Sequence, residues 1–386
     1  MGNINDYLIS KGDLSLKESK FNEIDSMILA RISYLRFDKI EIEEKESLES
    51  ISSKMKDLPN EEFLYNGDKE LITNLGQSKR FKDMVVTDYI KTNDKEAEKQ
   101  FGAVTIHISE KEMYISFIGT DSTIYGWKED FNMAFMDDVP CQIAGKEYLE
   151  RIAEKYPDKK IRVGGHSKGG NVAIYSAITA NKEVKNRIIK VYNYDGPGFS
   201  KEFLKKYEND DFIDKMETYI PQDSIIGRIL NHKEKITISL SKEKGIYQHD
   251  LYSWQVDKTD MIKSEENTSV SEDFNKLGDE WLETTTPEQR KIFIDAVFEL
   301  FYSTDANTFG EMKKSLSTNI SKILKKYREL DEKDRQIITE MIKIFTSSYL
   351  GIVKEKGATK FENTKEELNE KYNSLMKKIN NMKKEE

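Results

Sequence analysis

Val163-Gly164-Gly165-His166-Ser167-Lys168-Gly169-Gly170-Asn171-Val172-Ala173 decides how this chain is read. Gly165, Ser167 and Gly169 spell G-x-S-x-G. That spacing marks a serine on a sharp strand-to-helix turn, where strained backbone lifts the hydroxyl clear of a sheet. Small residues two before and two after the serine let the turn close without side-chain clash. Three fixed residues are a weak signal alone, so the flanks matter. Lys160-Ile161-Arg162-Val163 reads as a short strand. Residues 171–178 read as a helix whose small and apolar residues pack on a sheet. Strand, motif and helix stand in the order the turn requires.

Outward from the motif, strands and helices alternate. Residues 85–90, 101–108 and 112–118 read as strands, the last two joined by the polar turn Ser109-Glu110-Lys111. Residues 119–140 read as a loop-rich connection containing Trp127, and 145–156 as a helix stopped by Pro157. After the motif, 190–194 is a strand ending at Asp195-Gly196-Pro197-Gly198, a strong turn signal. A short helix over 201–207, a strand over 217–220 and a last strand over 236–240 follow. This alternation predicts an α/β fold with a largely parallel sheet flanked by helices. Upstream, 21–37 has helical spacing, and 39–60 is polar enough to predict short exposed helices. Beyond Val256 the character changes. Thr286-Pro287-Glu288-Gln289 is a helix start, and helices are expected over 288–302, 309–329, 333–354 and 364–383. The expected division is a first domain over 1–256, with an N-terminal helical segment over 1–80, and a helical region over 257–386. Ile292, Phe293, Ala296, Val297, Leu300 and Phe301 give that region an apolar face. Packing within its own bundle or on the first domain accounts for it; protein or membrane-surface contact is the competing use.

Composition bounds the function. The 386 residues permit one large domain or two ordinary ones. A net charge of −9 argues against general nucleic-acid binding. Cys141 is the only cysteine, so no internal disulfide forms and a reducing, cytoplasmic location is expected. No basic stretch followed by an apolar run opens the chain, and no eighteen-residue apolar run predicts a membrane span. No motif calls for a metal or cofactor.

A serine becomes nucleophilic only with a base, and the base needs an orienting acid. The chain has four histidines. His107 lies in a predicted strand and reads as structural. His166 occupies a variable position of the turn, with its side chain directed away from that of Ser167. His249 follows the last predicted strand, where the base belongs in the order Ser, Asp, His; His232 is the competitor. For the acid, Asp223 follows the strand at 217–220. Asp195 also ends a strand, but capping its Gly-Pro-Gly turn is explanation enough for it. Asp214 and Asp250 are weaker. An oxyanion site needs two donors. The Lys168 backbone N–H supplies one, and Thr120 in Phe117-Ile118-Gly119-Thr120-Asp121-Ser122 supplies the second by N–H or hydroxyl.

Those segments, with Tyr194-Asp195-Gly196-Pro197-Gly198-Phe199, Pro221-Gln222-Asp223-Ser224 and Gln248-His249-Asp250, occur together and in order. Together they resemble a bacterial family of lipase-like α/β-hydrolases related to the class 3 lipases. The resemblance spans roughly residues 21–256. It implies an α/β-hydrolase fold, an oxyanion loop at Thr120 with Lys168 as backbone donor, and a triad of Ser167, Asp223 and His249. It departs from secreted lipases at Lys168, where a smaller or apolar residue is usual, and in lacking disulfides. The expected activity is serine-dependent hydrolysis of a small-molecule or lipid acyl ester, with thioesterase, amidase or acyltransferase chemistry open to the same parts. The alternative is a non-catalytic interaction protein that keeps the fold as a scaffold.

Overall fold

The computed structural model describes residues 2–121, 123–304, 306–314, 316–355 and 364–371. The described chain divides into two compact units. The first is Met1–Asp121 with Met136–Glu272, and the second is Ser122–Phe135 with Asp273–Glu386. The first unit therefore ends at Glu272, not at 256, and residues 122–135 group with the C-terminal helices.

In the first unit, helices α1 (Ile4–Lys11), α2 (Glu23–Ile32), α3 (Leu48–Met55) and α4 (Asp68–Gln77) precede the main strands. Strand β1 is a two-residue edge, Glu46–Ser47. Strands β2 (Val85–Asp94), β3 (Lys99–His107) and β4 (Glu112–Phe117) follow as an antiparallel meander. From β4 onward the pairing turns parallel: β5 (Lys160–His166), β6 (Ile188–Tyr194), β7 (Met216–Pro221) and β8 (Lys235–Ser239) are added in sequence order. A small hairpin, β9 (Val256–Asp257) and β10 (Asp260–Met261), leads to β11 (Lys263–Ser264), which closes the edge antiparallel to β8. The strand expected to be last is thus followed by a further edge strand. The nine-stranded order is β1-β2-β3-β4-β5-β6-β7-β8-β11.

Alternation along the strands gives the sheet two buried faces. On one face Tyr114, Tyr192, Tyr194 and Tyr219 form a stack, with Tyr194 and Tyr219 centroids 5.3 Å apart. This face joins the core contributed by α1–α4. The other face carries α6 (Pro140–Lys155) and α7 (Lys168–Thr179), with Tyr148 of α6 bonded to Thr105 of β3 at 2.8 Å. Short helices α8 (Lys182–Arg187) and α9 (Lys201–Lys206) complete the crossovers. Parallel strands need such crossovers, so the predicted α/β layout is present.

The polar stretch over 39–60 departs from expectation. Leu48, Ile51 and Met55 of α3 recur at helical spacing and are fully buried. The N-terminal layer also buries charge. Asn22 and Asp25 form a capping box that starts α2, and Asp25 pairs with Arg80. Arg31 meets Asp68 at 2.8 Å with both side chains fully buried, and Tyr252 donates to the same carboxylate at 2.8 Å. Removing one member of such a pair strands the other charge. Asp68→Ala is therefore expected to cost about 3–5 kcal/mol of stability in a urea titration. A loss below about 1 kcal/mol would show that Arg31 finds water or another partner.

In the second unit, residues 124–132 form α5 (Ile124–Asn132) where a loop was expected; Thr123 caps it, accepting from Gly126 N. Helix α10 (Ser269–Thr284) belongs to this unit from Asp273 onward, and α11 (Pro287–Tyr302), α12 (Phe309–Lys314), α13 (Leu316–Glu329) and α14 (Glu332–Glu355) follow. Thr286 and Gln289 make the predicted capping box of α11. Ile294 and Phe298 of α11 pack with Ile124 of α5, and Ala296 packs with Leu330 and Ile338. The helix is thus enclosed on two sides, within its own bundle. The helix expected over 364–383 is described only over 364–371 and is helical there. Among the described residues, no helix is long and apolar enough to cross a membrane.

Candidate active site

Ser167 sits between the end of β5 and the start of α7 with φ 58° and ψ −135°. A residue with a Cβ rarely holds positive φ, and such strain collects where function needs it. Two glycines make the turn possible. A Cβ on Gly165 would lie 2.3 Å from the Gly169 carbonyl, and one on Gly169 would lie 2.2 Å from the Phe117 carbonyl oxygen. The helix and strand cross so closely here that only hydrogen fits. Ser167 N donates to Tyr194 O at 2.9 Å, tying the turn to the tip of β6.

Asp195 follows directly on Tyr194. It is buried and also holds positive φ, 50°. Its N–H donates to Tyr219 O at 2.8 Å. Asn193 Oδ1 accepts from Gly196 N at 2.9 Å, and Asn171 Nδ2 reaches the Gly198 carbonyl at 2.9 Å, so the turn after Asp195 is braced from both sides. Asp195 Oδ1 accepts from the Ser224 hydroxyl and from Gly227 N. Its other oxygen, Oδ2, lies 2.7 Å from His249 Nδ1.

The acid expected at Asp223 is not the one that meets His249. Asp223 Oδ2 accepts from Gly245 N at 2.7 Å, its Oδ1 accepts from the Thr268 hydroxyl, and its N–H donates to Gln248 Oε1 at 2.9 Å. Asp223 thus ties down the loop that carries His249, while Asp195 takes its imidazole. The His249 side chain is one-fifth exposed. His232 is committed elsewhere, with Nδ1 2.8 Å from Glu234 Oε1 in a buried pair. His107 meets Thr87 Oγ1 at 3.1 Å and lies edge-on to Tyr156, in the structural role expected of it.

Of the packing or hydrogen-bonding role expected of it, His166 takes the hydrogen-bonding one. Its Nε2 donates to the His249 carbonyl at 2.7 Å, and the Tyr34 hydroxyl lies 3.0 Å from its Nδ1 and 3.1 Å from its carbonyl oxygen. A carbonyl only accepts, so Nε2 carries the proton and Nδ1 is an acceptor. Burial, with His249 and Arg31 nearby, pushes the His166 pKa well below its ordinary value, so the ring is neutral. The two imidazoles lie 4.5 Å apart, centroid to centroid.

The Gly119 loop completes the cluster. A Cβ on Gly119 would sit 3.1 Å from Ser167 Cβ, so the loop passes in contact with the serine. Gln100 holds this loop: its Nε2 donates to Gly119 O, and its Oε1 accepts from Asp121 N, both at 3.2 Å. Lys168 turns its side chain inward, where it is almost fully buried. Sequence reading missed Gln100 and Tyr34, which carry no local signal. It held Asp195 only as a competitor. At the carboxyl edge of β4, β5 and β6, the Gly119 loop lies against Ser167, the Ser167 N–H meets the residue before Asp195, and His249 is bonded to His166, the residue before Ser167. Among the described residues, no cluster of His, Cys, Asp and Glu could hold a metal ion.

The His232–Glu234 pair sets an acid limit on stability. Burial alone would raise the Glu234 carboxyl, but His232 and the Thr218 hydroxyl outweigh it and hold the group at about 2, against an ordinary 4.5. The folded state therefore binds this proton more weakly than the unfolded chain. The pair's contribution is full above pH 4.5 and disappears as pH falls toward 2. Glu234→Gln is expected to flatten the fall in Tm across that window. An unchanged slope would place the acid sensitivity elsewhere.

A family model described as Mbeg1-like matches residues 75–299, more than half of the chain. Searched against curated proteins, the chain has no match. Solved structures similar to it include the Rhizomucor miehei lipase–propeptide complex, at 17% identity and TM-score 0.32, covering 42% of this chain and 58% of that one. A fungal lipase–inhibitor complex is similar at 15% identity and TM-score 0.38, covering 62% and 80%. The Lip2 lipase of Yarrowia lipolytica is similar at 16% identity and TM-score 0.30, covering 44% and 67%. The chain thus spans well under two thirds of the Rhizomucor enzyme's length.

Proposed function

This chain belongs to the Mbeg1-like family, and we propose that it is a serine hydrolase of acyl esters. One observation carries the reading: His249 is paired to buried Asp195 and bonded through its carbonyl to His166, the residue before a serine held at positive φ. In this scheme His249 Nε2 takes the Ser167 proton as the hydroxyl oxygen attacks the ester carbonyl carbon. Asp195 keeps the proton on Nδ1 and stabilises the imidazolium. The carbonyl π electrons move to oxygen, where the Lys168 N–H and Thr120 receive the negative charge. Collapse expels the alcohol, which takes the proton from His249 and leaves an acyl-serine. Water, deprotonated by His249, then releases the acid and restores the serine. Protein groups and water carry every step.

The substrate is a small-molecule or lipid ester. A series of p-nitrophenyl esters from acetate to palmitate tests this directly. Turnover saturating with substrate, with a burst where deacylation is slow, supports the scheme. A folded protein that turns over none of them is a binding scaffold instead.

A further inference from the structure

We infer that the buried Lys168 side chain, acting through Gln100, is the positioning device that holds the oxyanion loop against the nucleophile. This rests on the hydrolase reading and adds a role for a residue that the reading uses only through its backbone.

The geometry is a chain of three links. Lys168 Nζ donates to the backbone carbonyl of Gln100 and to its side-chain Oε1, both at 3.1 Å. Gln100, itself buried at the start of β3, then grips the loop on both sides of Thr120: Nε2 to the Gly119 carbonyl and Oε1 from the Asp121 N–H. Thr120 is therefore fixed from the residue before it and the residue after it. One amide can do this only if its oxygen faces Asp121 and its nitrogen faces Gly119. The ammonium enforces that orientation, because a cation beside the oxygen excludes the flipped amide.

The consequence is mechanical coupling. Lys168 supplies one oxyanion donor from its backbone N–H at the first position of α7. Its side chain sets the loop that carries the other donor. The loop must be set closely, since Gly119 already touches Tyr34, the His166 carbonyl and Ser167. Two donors belonging to separate segments are thus held at one spacing. An aliphatic side chain at this position could not grip Gln100.

Lys168→Met keeps the backbone N–H and an unbranched side chain but removes the ammonium. On a p-nitrophenyl ester, kcat is expected to fall about 10²-fold with KM changed less than about threefold, the signature of a donor displaced by about 1 Å. Binding of a trifluoromethyl ketone, whose serine adduct carries the oxyanion, should weaken in parallel with kcat. Binding of the product carboxylate should not. Gln100→Glu keeps a partner for Lys168 but cannot donate to the Gly119 carbonyl, so it should reproduce the signature even where Lys168→Met fails to fold. If wild type hydrolyses the ester and a folded variant keeps kcat within about threefold, the clamp is wrong and the triad stands. Equal weakening of ketone and carboxylate binding makes Lys168 a packing residue and also overturns the proposal. A wild type that neither turns over the ester nor binds the ketone removes the hydrolase reading, and the clamp with it.

Discussion

Ser167→Ala is expected to lower kcat for ester hydrolysis by about 10⁶-fold and to leave Tm nearly unchanged. The rate loss follows from removing the only group that forms the acyl bond. The stability expectation follows from the backbone. Ser167 holds φ 58°, and the turn is tied by its N–H to Tyr194 O and by its carbonyl to Gly170 N. Alanine keeps both bonds and bears the same Cβ strain. His249→Ala should cost about as much as Ser167→Ala, and the double variant little more, because nucleophile and base act as one unit. Single-turnover measurements on an activated ester decide this. An alanine variant within about a hundredfold of wild type would mean that Ser167 is not the nucleophile.

The second large effect separates two aspartates. Asp195→Asn is expected to lower kcat about 10⁴-fold with little unfolding. The asparagine carbonyl would keep the bonds from Ser224 and Gly227 N, which leaves its NH₂ facing His249 Nδ1. That NH₂ can only donate, so the imidazole must carry its proton on Nε2 and cannot accept one from Ser167. Asp223→Asn faces Gly245 N and the Thr268 hydroxyl instead. Its amide oxygen still accepts from Gly245, so the loss should be about tenfold or less in kcat and visible mainly in Tm. The reverse order, with Asp223→Asn inactive and Asp195→Asn active, would return the acid to Asp223.

What the sequence could and could not reveal follows from how local each signal is. The strand, turn and helix around Ser167 lie within twenty residues, and the glycines are demanded by contacts made inside that stretch and with β4. His249 stood out as a candidate because few histidines compete and one follows the strands. The choice between Asp195 and Asp223 was not local. Both end a parallel strand. Asp195 is the one that meets His249, because Tyr194 is the register partner of His166 and hands its carbonyl to Ser167, which puts the tip of β6 beside the turn. The Gly-Pro-Gly turn that seemed to explain Asp195 is itself part of the brace that presents it. Tyr34, just past α2, and Gln100, in β3, reach the site from segments distant in the chain. No spacing rule connects them to it. Helix α3 was read as exposed because polar neighbours dilute the face made by Leu48, Ile51 and Met55. Helix α5 was hidden in a stretch holding Gly126 and few aliphatic residues, and its partner Ile294 lies far downstream.

Site-resolved labelling with a fluorophosphonate probe, read by peptide mass spectrometry, tests the proposed chemistry most directly. The reagent traps only a serine activated as a nucleophile. One phosphonyl group is expected on the peptide containing Ser167, formed at a rate that collapses in His249→Ala and Asp195→Asn and persists in Asp223→Asn. A folded wild-type protein that stays unlabelled, or an adduct on any other residue, would contradict the assignment of Ser167, His249 and Asp195 as a catalytic unit.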